Sequence, residues 1–307
     1  MLSRIAESMF WIGRYVERAD DTARILDVQH QLILEDPSVD VTETVANLLS
    51  VMGVETDGPV DEHQMMDILA YDRTSPASVA AVLAAARESA RRARETLSTS
   101  MWEAVNTTWL AIPSGQFRSM RAPSAFAWVR DRAAQIYGIA DATMTRDEGW
   151  QFLVLGRSIE RADMTARLVA TASLGSGSAW GNSLQACGAY EAFLRTYKGL
   201  ETERGAAEFL LLDRLFPRSV VFSLARAEQC LSNLEIGGSR AGISNEAMRL
   251  IGRTRNELEY RSLSDVVEDL PSEMERLQVT CALATDAITK RFFAGAEATA
   301  WAGGKVS

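Results

Sequence analysis

A twelve-residue pattern occurs twice in this chain, at a constant offset of 143 (156 − 13). Gly13-Arg14-Tyr15-Val16-Glu17-Arg18-Ala19-Asp20-Asp21-Thr22-Ala23-Arg24 returns as Gly156-Arg157-Ser158-Ile159-Glu160-Arg161-Ala162-Asp163-Met164-Thr165-Ala166-Arg167, with nine of twelve positions identical. The offset is close to half of the 307 residues. A repeat of this length implies duplication of a structural unit. It predicts two related halves, about 1–122 and 123–296, packed as one domain with a loose tail at 297–307. A weaker echo at offset 141 sets Ser75-Pro76-Ala77-Ser78-Val79 against Phe216-Pro217-Arg218-Ser219-Val220.

Apolar residues recur at helical spacing almost throughout, so the fold class is all-α, a multi-helix bundle. Ile5, Ile12, Val16, Ala19, Ala23 and Leu26 share one face of a first helix over 3–34, which Asp36-Pro37-Ser38 stops. Further helices are expected over 41–52 and 62–70, and from a Ser75-Pro76 cap through Leu97. Another covers 101–110, and Pro113 to Pro123 reads as an ordered loop. The second half predicts helices over 124–143, from a capping box at Thr145-Arg146-Asp147-Glu148 to Leu174, and over 183–198, 205–212, 218–234 and 245–260. A last helix, 272–293, opens on a capping box at Ser272-Glu273-Met274-Glu275. No hairpin signal and no Gly-rich nucleotide loop between strand and helix is present.

A net charge of −9 and a pI near 5.0 argue against a nucleic-acid groove and against docking on anionic lipid. Cys187, Cys230 and Cys281 lack CxxC spacing, which suits a reducing cytoplasm better than a disulfide framework. The opening residues lack a signal-peptide core, and no run is long enough to span a bilayer. Positive charge is nearly all Arg, either codon bias or a preference for bidentate carboxylate and phosphate recognition.

On a helix, Gly13, Glu17, Asp20 and Arg24 form one stripe, and Gly156, Glu160, Asp163 and Arg167 form its counterpart. Arg14, Arg18, Arg157 and Arg161 are expected further from the core. Each glycine permits close approach of another helix or a ligand. Three readings follow: ionic clamps where the two helices cross, a polar pocket between the halves for a charged ligand, or a surface for a partner. A carboxylate-bridged metal pair needs Glu-x-x-His motifs. His30 and His63 fall in none, so neither metal nor cofactor is expected. A Mg²⁺ held jointly with a phosphorylated ligand is less excluded. Trp102, Asn106 and Trp109 share a helical face and read as core. Gly252 to Tyr260 reads as a solvated helix or a third contributor to a central site. No Ser-His-Asp or Cys-His constellation can be assembled, so catalytic residues are unassigned.

The stretch from Met1 to Asp20, the second motif from Gly156 to Asp163, and Gly252-Arg253 with Leu258-Glu259-Tyr260 resemble the bacterial alpha-E family across essentially the whole chain. The resemblance implies an all-helical protein without agreed catalytic residues. It also implies genomic neighbours: a circularly permuted ATP-grasp-like protein, a transglutaminase-like peptidase and, in some clusters, a proteasome-like peptidase. The function so implied is an accessory, scaffold or substrate-binding subunit of an ATP-grasp-dependent system that ligates or modifies a peptide. The alternative is an enzyme of that pathway using the Glu/Asp/Arg clusters. The expected partners are the ATP-grasp-like protein and the peptidase, with a homo-oligomer left open and neither nucleic acid nor membrane.

Overall fold

The computed structural model describes residues 1–35, 37, 39–174, 179–198, 202–235 and 242–293. Among these, every regular element is helical. The chain divides into two compact units, one of residues 1–14 with 145–296 and the other of residues 15–144 with 297–307. Helix α1 (Ser3–Glu35) contributes its first turns to the former and the rest to the latter.

In the discontinuous unit, α8 (Glu148–Leu174) packs against α12 (Val220–Leu234) and α15 (Leu270–Phe292), and α13 (Glu246–Tyr260) closes on both α12 and α15. Shorter helices α9 (Ala179–Ala186), α10 (Tyr190–Thr196), α11 (Glu203–Leu212) and α14 (Leu263–Val267) flank them. Two aromatic clusters fill this core: Phe10 with Phe293, Phe152 and Phe292, and Phe209 with Phe193, Tyr197 and Phe216.

The contiguous unit holds the rest of α1 with α2 (Val41–Val51), α3 (Glu62–Met66), a π-helical turn over Asp67–Tyr71, α4 (Val79–Arg92), α5 (Thr99–Leu110), α6 (Gln116–Ser119) and α7 (Ala122–Thr143). His30 Nδ1 lies 2.8 Å from Glu62 Oε1, tying α1 to α3, and Arg130 reaches Asp27 at 2.9 Å, tying α7 to α1.

Several element ends differ from the sequence expectation, each for a local reason. Ser78, not Ser75, caps α4, accepting from Ala81 N at 3.0 Å, and the helix stops at Arg92. Asp147 rather than Thr145 caps α8, accepting from Trp150 N at 3.3 Å, while the Thr145 hydroxyl donates to Asp147. Ser272 lies inside α15, which opens from Asp269 with Pro271 in its first turn. The expected helix over 183–198 breaks at Gly188, whose φ of 60° leaves the right-handed region. The loop after Pro113 contains α6, and Ala122-Pro123 are already in α7. Helix α14 carried no periodic signal in so few residues. Asp36, Ser38, Gly175 to Ser178 and the tail lie outside the described residues.

The 141-residue echo has a structural counterpart inside each unit. Ser78 Oγ donates to Asp72 O at 2.5 Å, and Ser219 Oγ donates to Asp213 O. Both serines then cap the following helix, Ser219 accepting from Phe222 N at 3.1 Å. The shared segment therefore begins earlier than the echo suggested, at Asp72-Arg73 and Asp213-Arg214.

Candidate functional site

The two repeat glycines mark a backbone-to-backbone crossing of α1 and α8 within the discontinuous unit. A Cβ on Gly13 would stand 2.1 Å from Leu153 O, and one on Gly156 would stand 2.0 Å from Phe10 O. The relation is reciprocal: each glycine meets the carbonyl three residues before the other. No real Cβ tolerates such distances, so glycine here serves approach rather than flexibility.

One residue beyond the crossing, Arg14 is buried. Its Nε donates to Glu160 Oε2 at 2.6 Å and its Nη1 to Thr285 Oγ1 at 2.7 Å, and its guanidinium lies 5.6 Å from the Trp11 ring centre. Glu160 is fully buried. Thr285 passes the chain on to Cys281 O at 2.8 Å. On the next turn of α8, Arg167 Nε donates to Asp163 Oδ2 at 2.9 Å. Arg161 instead reaches Pro217 O at 3.2 Å, and the neighbouring Thr165 donates to Arg218 O, so this side of α8 clasps the start of α12. Arg157 is half-buried on α8.

In the contiguous unit, Glu17, Asp20 and Asp21 bring ligand-capable oxygens within 4.8 Å of one another, and all three residues are buried. Arg24 Nε donates to Asp20 Oδ1 at 3.0 Å and brings positive charge to this acidic group. Arg18 is buried in the same turn. The carboxylates have the spacing and hardness to hold a small divalent cation.

The expectation that arginines of the motif lie further out is thus corrected for Arg14 and Arg18, both 7% exposed. Between Ile5 and Leu26 every residue of α1 except Trp11, Tyr15 and Arg24 is buried, which leaves Arg14 and Arg18 inside. Asp21 carries no repeat signal, because its counterpart in the second copy is Met164. Thr285 lies more than 265 residues from Arg14 and belongs to no motif, so no sequence pattern joins the two.

Cysteine nucleophilicity is suppressed in this neighbourhood. Burial pushes the Cys281 thiol up, Asp163 and Glu160 add to that, and Arg14 and Arg167 only partly offset it. Burial likewise holds Cys230 at about 11 against weak opposition from Arg226 and Arg157. Cys187 is buried too. A thiol kept protonated is neither nucleophile nor metal ligand.

Two shallow grooves of the discontinuous unit lie elsewhere. One of about 790 Å³ runs between α13 and α15 past Arg249, Arg253, Glu257, Glu273 and Arg276. The other, about 400 Å³, is bounded by Trp180, Glu203, Arg204 and residues 267–271. No residue of the two repeat copies, 13–24 and 156–167, lines either groove. The polar stretch after Gly252 forms its own network: Arg255 bonds Glu228 at 2.8 Å and also Glu259, and Arg214 reaches Glu259 at 2.8 Å. Gly252 makes room for Glu228, whose Oε1 would lie 2.9 Å from an added Cβ.

Curated relatives are uncharacterized proteins of Mycobacterium bovis and Mycobacterium tuberculosis, each 26% identical to this chain over 312 aligned positions. The match covers 92% of this chain but 35% of each relative, so the chain spans about a third of the length of the curated relatives it matches. No solved structure matches it. The profile of a family described as a predicted alpha-helical domain with a conserved ER motif matches residues 1–293, and the Glu-Arg dipeptide stands in both repeat copies, at 17–18 and 160–161. The chain belongs to the Alpha-E family.

Proposed function

We propose that this chain is an accessory, scaffold or substrate-binding subunit of an ATP-grasp-dependent system that ligates or modifies a peptide in the bacterial cytoplasm. The observation that carries the reading is that the match covers 92% of this chain and 35% of each curated relative, so in those relatives this domain shares a polypeptide with further sequence. A domain joined to further sequence in its relatives commonly works together with other domains. The site chemistry agrees. Arg14 is committed to Glu160 and Thr285, Arg167 to Asp163 and Arg24 to Asp20, in a setting that fixes helices rather than turning over substrate. Two of the thiols are held protonated. The proposed partner is the circularly permuted ATP-grasp-like protein that the family resemblance implies, with the transglutaminase-like peptidase as a second.

The rival reading, an enzyme of the same pathway, draws on Glu17, Asp20 and Asp21, whose clustered oxygens suit a cation and hence a phosphorylated ligand. Co-expression with the ATP-grasp-like protein, followed by size-exclusion chromatography and ATP-hydrolysis assays with and without this chain, tests the first reading. Co-elution with altered ATP turnover is expected. Separate elution with unchanged turnover would overturn it. Turnover of an acyl phosphate or peptide by the isolated chain, abolished in Glu17→Gln, would establish the rival.

A further inference from the structure

Helix α5 turns Met101, Ala104, Val105 and Thr108 inward and leaves Trp102, Asn106 and Trp109 half-buried on another face. These three were expected in the core, and the structure corrects that: the core face of α5 is the adjacent one. The guanidinium of Arg87 on α4 lies 4.6 Å from the Trp109 ring centre and 5.7 Å from that of Trp102, and its Nε donates to Asn106 Oδ1 at 3.3 Å. Arg94, just past the end of α4, lies 5.6 Å from Trp102. Cations and indoles therefore alternate in the order Arg94, Trp102, Arg87, Trp109. The two indoles stand ~10 Å apart along α5, seven residues at 1.5 Å each. Leu110, 48% exposed, extends the apolar end.

The charges on this ladder are not neutralised locally. Arg91 and Arg92 both turn to Glu88, at 2.8 and 3.2 Å, whereas Arg87 and Arg94 have no carboxylate partner among the described residues. Stacking on an indole face holds a guanidinium by its plane and leaves N–H donors at its edge, the geometry that takes a carboxylate in two parallel hydrogen bonds. Tryptophan and arginine are also the side chains in which interface energy concentrates. Two fixed, uncompensated positive charges in a chain of net charge −9 select an acidic segment. They do not suit a polyanion as long as a nucleic acid, which the rest of the surface repels.

We propose that the Arg94–Trp102–Arg87–Trp109 ladder is a docking surface for an acidic segment of a partner protein. Its guanidiniums take carboxylates and its indoles cover the hydrocarbon between them. The proposal rests on the subunit reading and gives one contact with a partner its chemistry.

A fluorescein-labelled peptide of alternating Glu and Leu, titrated with the full chain by fluorescence anisotropy, tests it. Expected is saturable binding that weakens as salt rises, with Arg94→Glu and Trp102→Ser each losing about tenfold in affinity. Arg87→Lys, which keeps the charge but not the planar fork, should lose affinity as well. Arg253→Glu, on the exposed face of α13, should bind as the unaltered chain does. Arg94 is exposed, so its variant should keep the parent thermal midpoint and circular dichroism. Absence of binding, unchanged affinity in Arg94→Glu, or equal affinity for a Lys/Leu peptide or for oligo-dT would overturn the proposal. The peptide titration can fail while co-elution with the ATP-grasp-like protein holds, and the reverse, so the two readings fail separately.

Discussion

A methyl group at Gly13 or Gly156 would have to displace a backbone carbonyl rather than a flexible side chain. Gly13→Ala and Gly156→Ala should therefore each destabilise the fold by about 3 kcal/mol or more, the upper range for overpacking, in urea titrations followed by circular dichroism. A loss below about 1 kcal/mol would mean that the helices can separate without cost. The neighbouring ion pair makes a different demand. Arg14→Met removes one partner of a buried ion pair and should cost about 3–5 kcal/mol, whereas Arg14→Met with Glu160→Met should recover most of that loss. Cys230 offers a pH signature. Its thiol pKa is raised in the folded state, so the stability it contributes is complete below the unfolded value of 9.0 and is lost as pH rises from there to about 11. Cys230→Ala should remove about 2–3 kcal/mol of that alkaline decline, from a shift of about two pH units. Equal decline in both proteins would show that the thiol is solvated.

At the scale of elements, helix existence was legible because the 3.6-residue period is carried by many side chains at once, as in α1, α8, α12 and α13. Helix starts were less legible, because several residues compete to cap them. Ser75 and Ser78 both fit, and only Ser78 can also donate to Asp72 O. Removing that hydroxyl should cost more than an ordinary cap. Ser78→Ala and Ser219→Ala are expected to lower stability by about 1 kcal/mol at least, with the larger loss of amide-exchange protection in the helix that each serine opens, α4 and α12. Protection unchanged in both would assign the turn's stability to Asp72 and Asp213 alone. The environment of the tryptophan face of α5 is not legible in the sequence, because helical spacing states that residues share a face and says nothing about what that face meets.

For the whole molecule, the repeat identified the residues at the crossing, and the all-helical class followed from periodicity. The division into units did not follow, because residues 1–14 pack with residues beyond 144 and no local pattern records a contact at that range. The prediction at this scale concerns that separation. A fragment of residues 145–293 should melt without cooperativity and regain a sharp transition when a peptide of residues 1–14 is added in trans, since Phe10 and Arg14 complete its core. An unchanged melt would mean that the fragment folds without them. The same connectivity orders events during synthesis. Residues 15–144 are contiguous and can fold once they have left the ribosome. The first turns of α1 are made before them, yet Phe10 needs Phe293 and Arg14 needs Thr285. Phe10, fully buried, can meet α8 once that helix is made but lacks part of its cover until Phe293 has been translated. A nascent chain of this design should hold chaperones on the first turns of α1 until α15 has emerged.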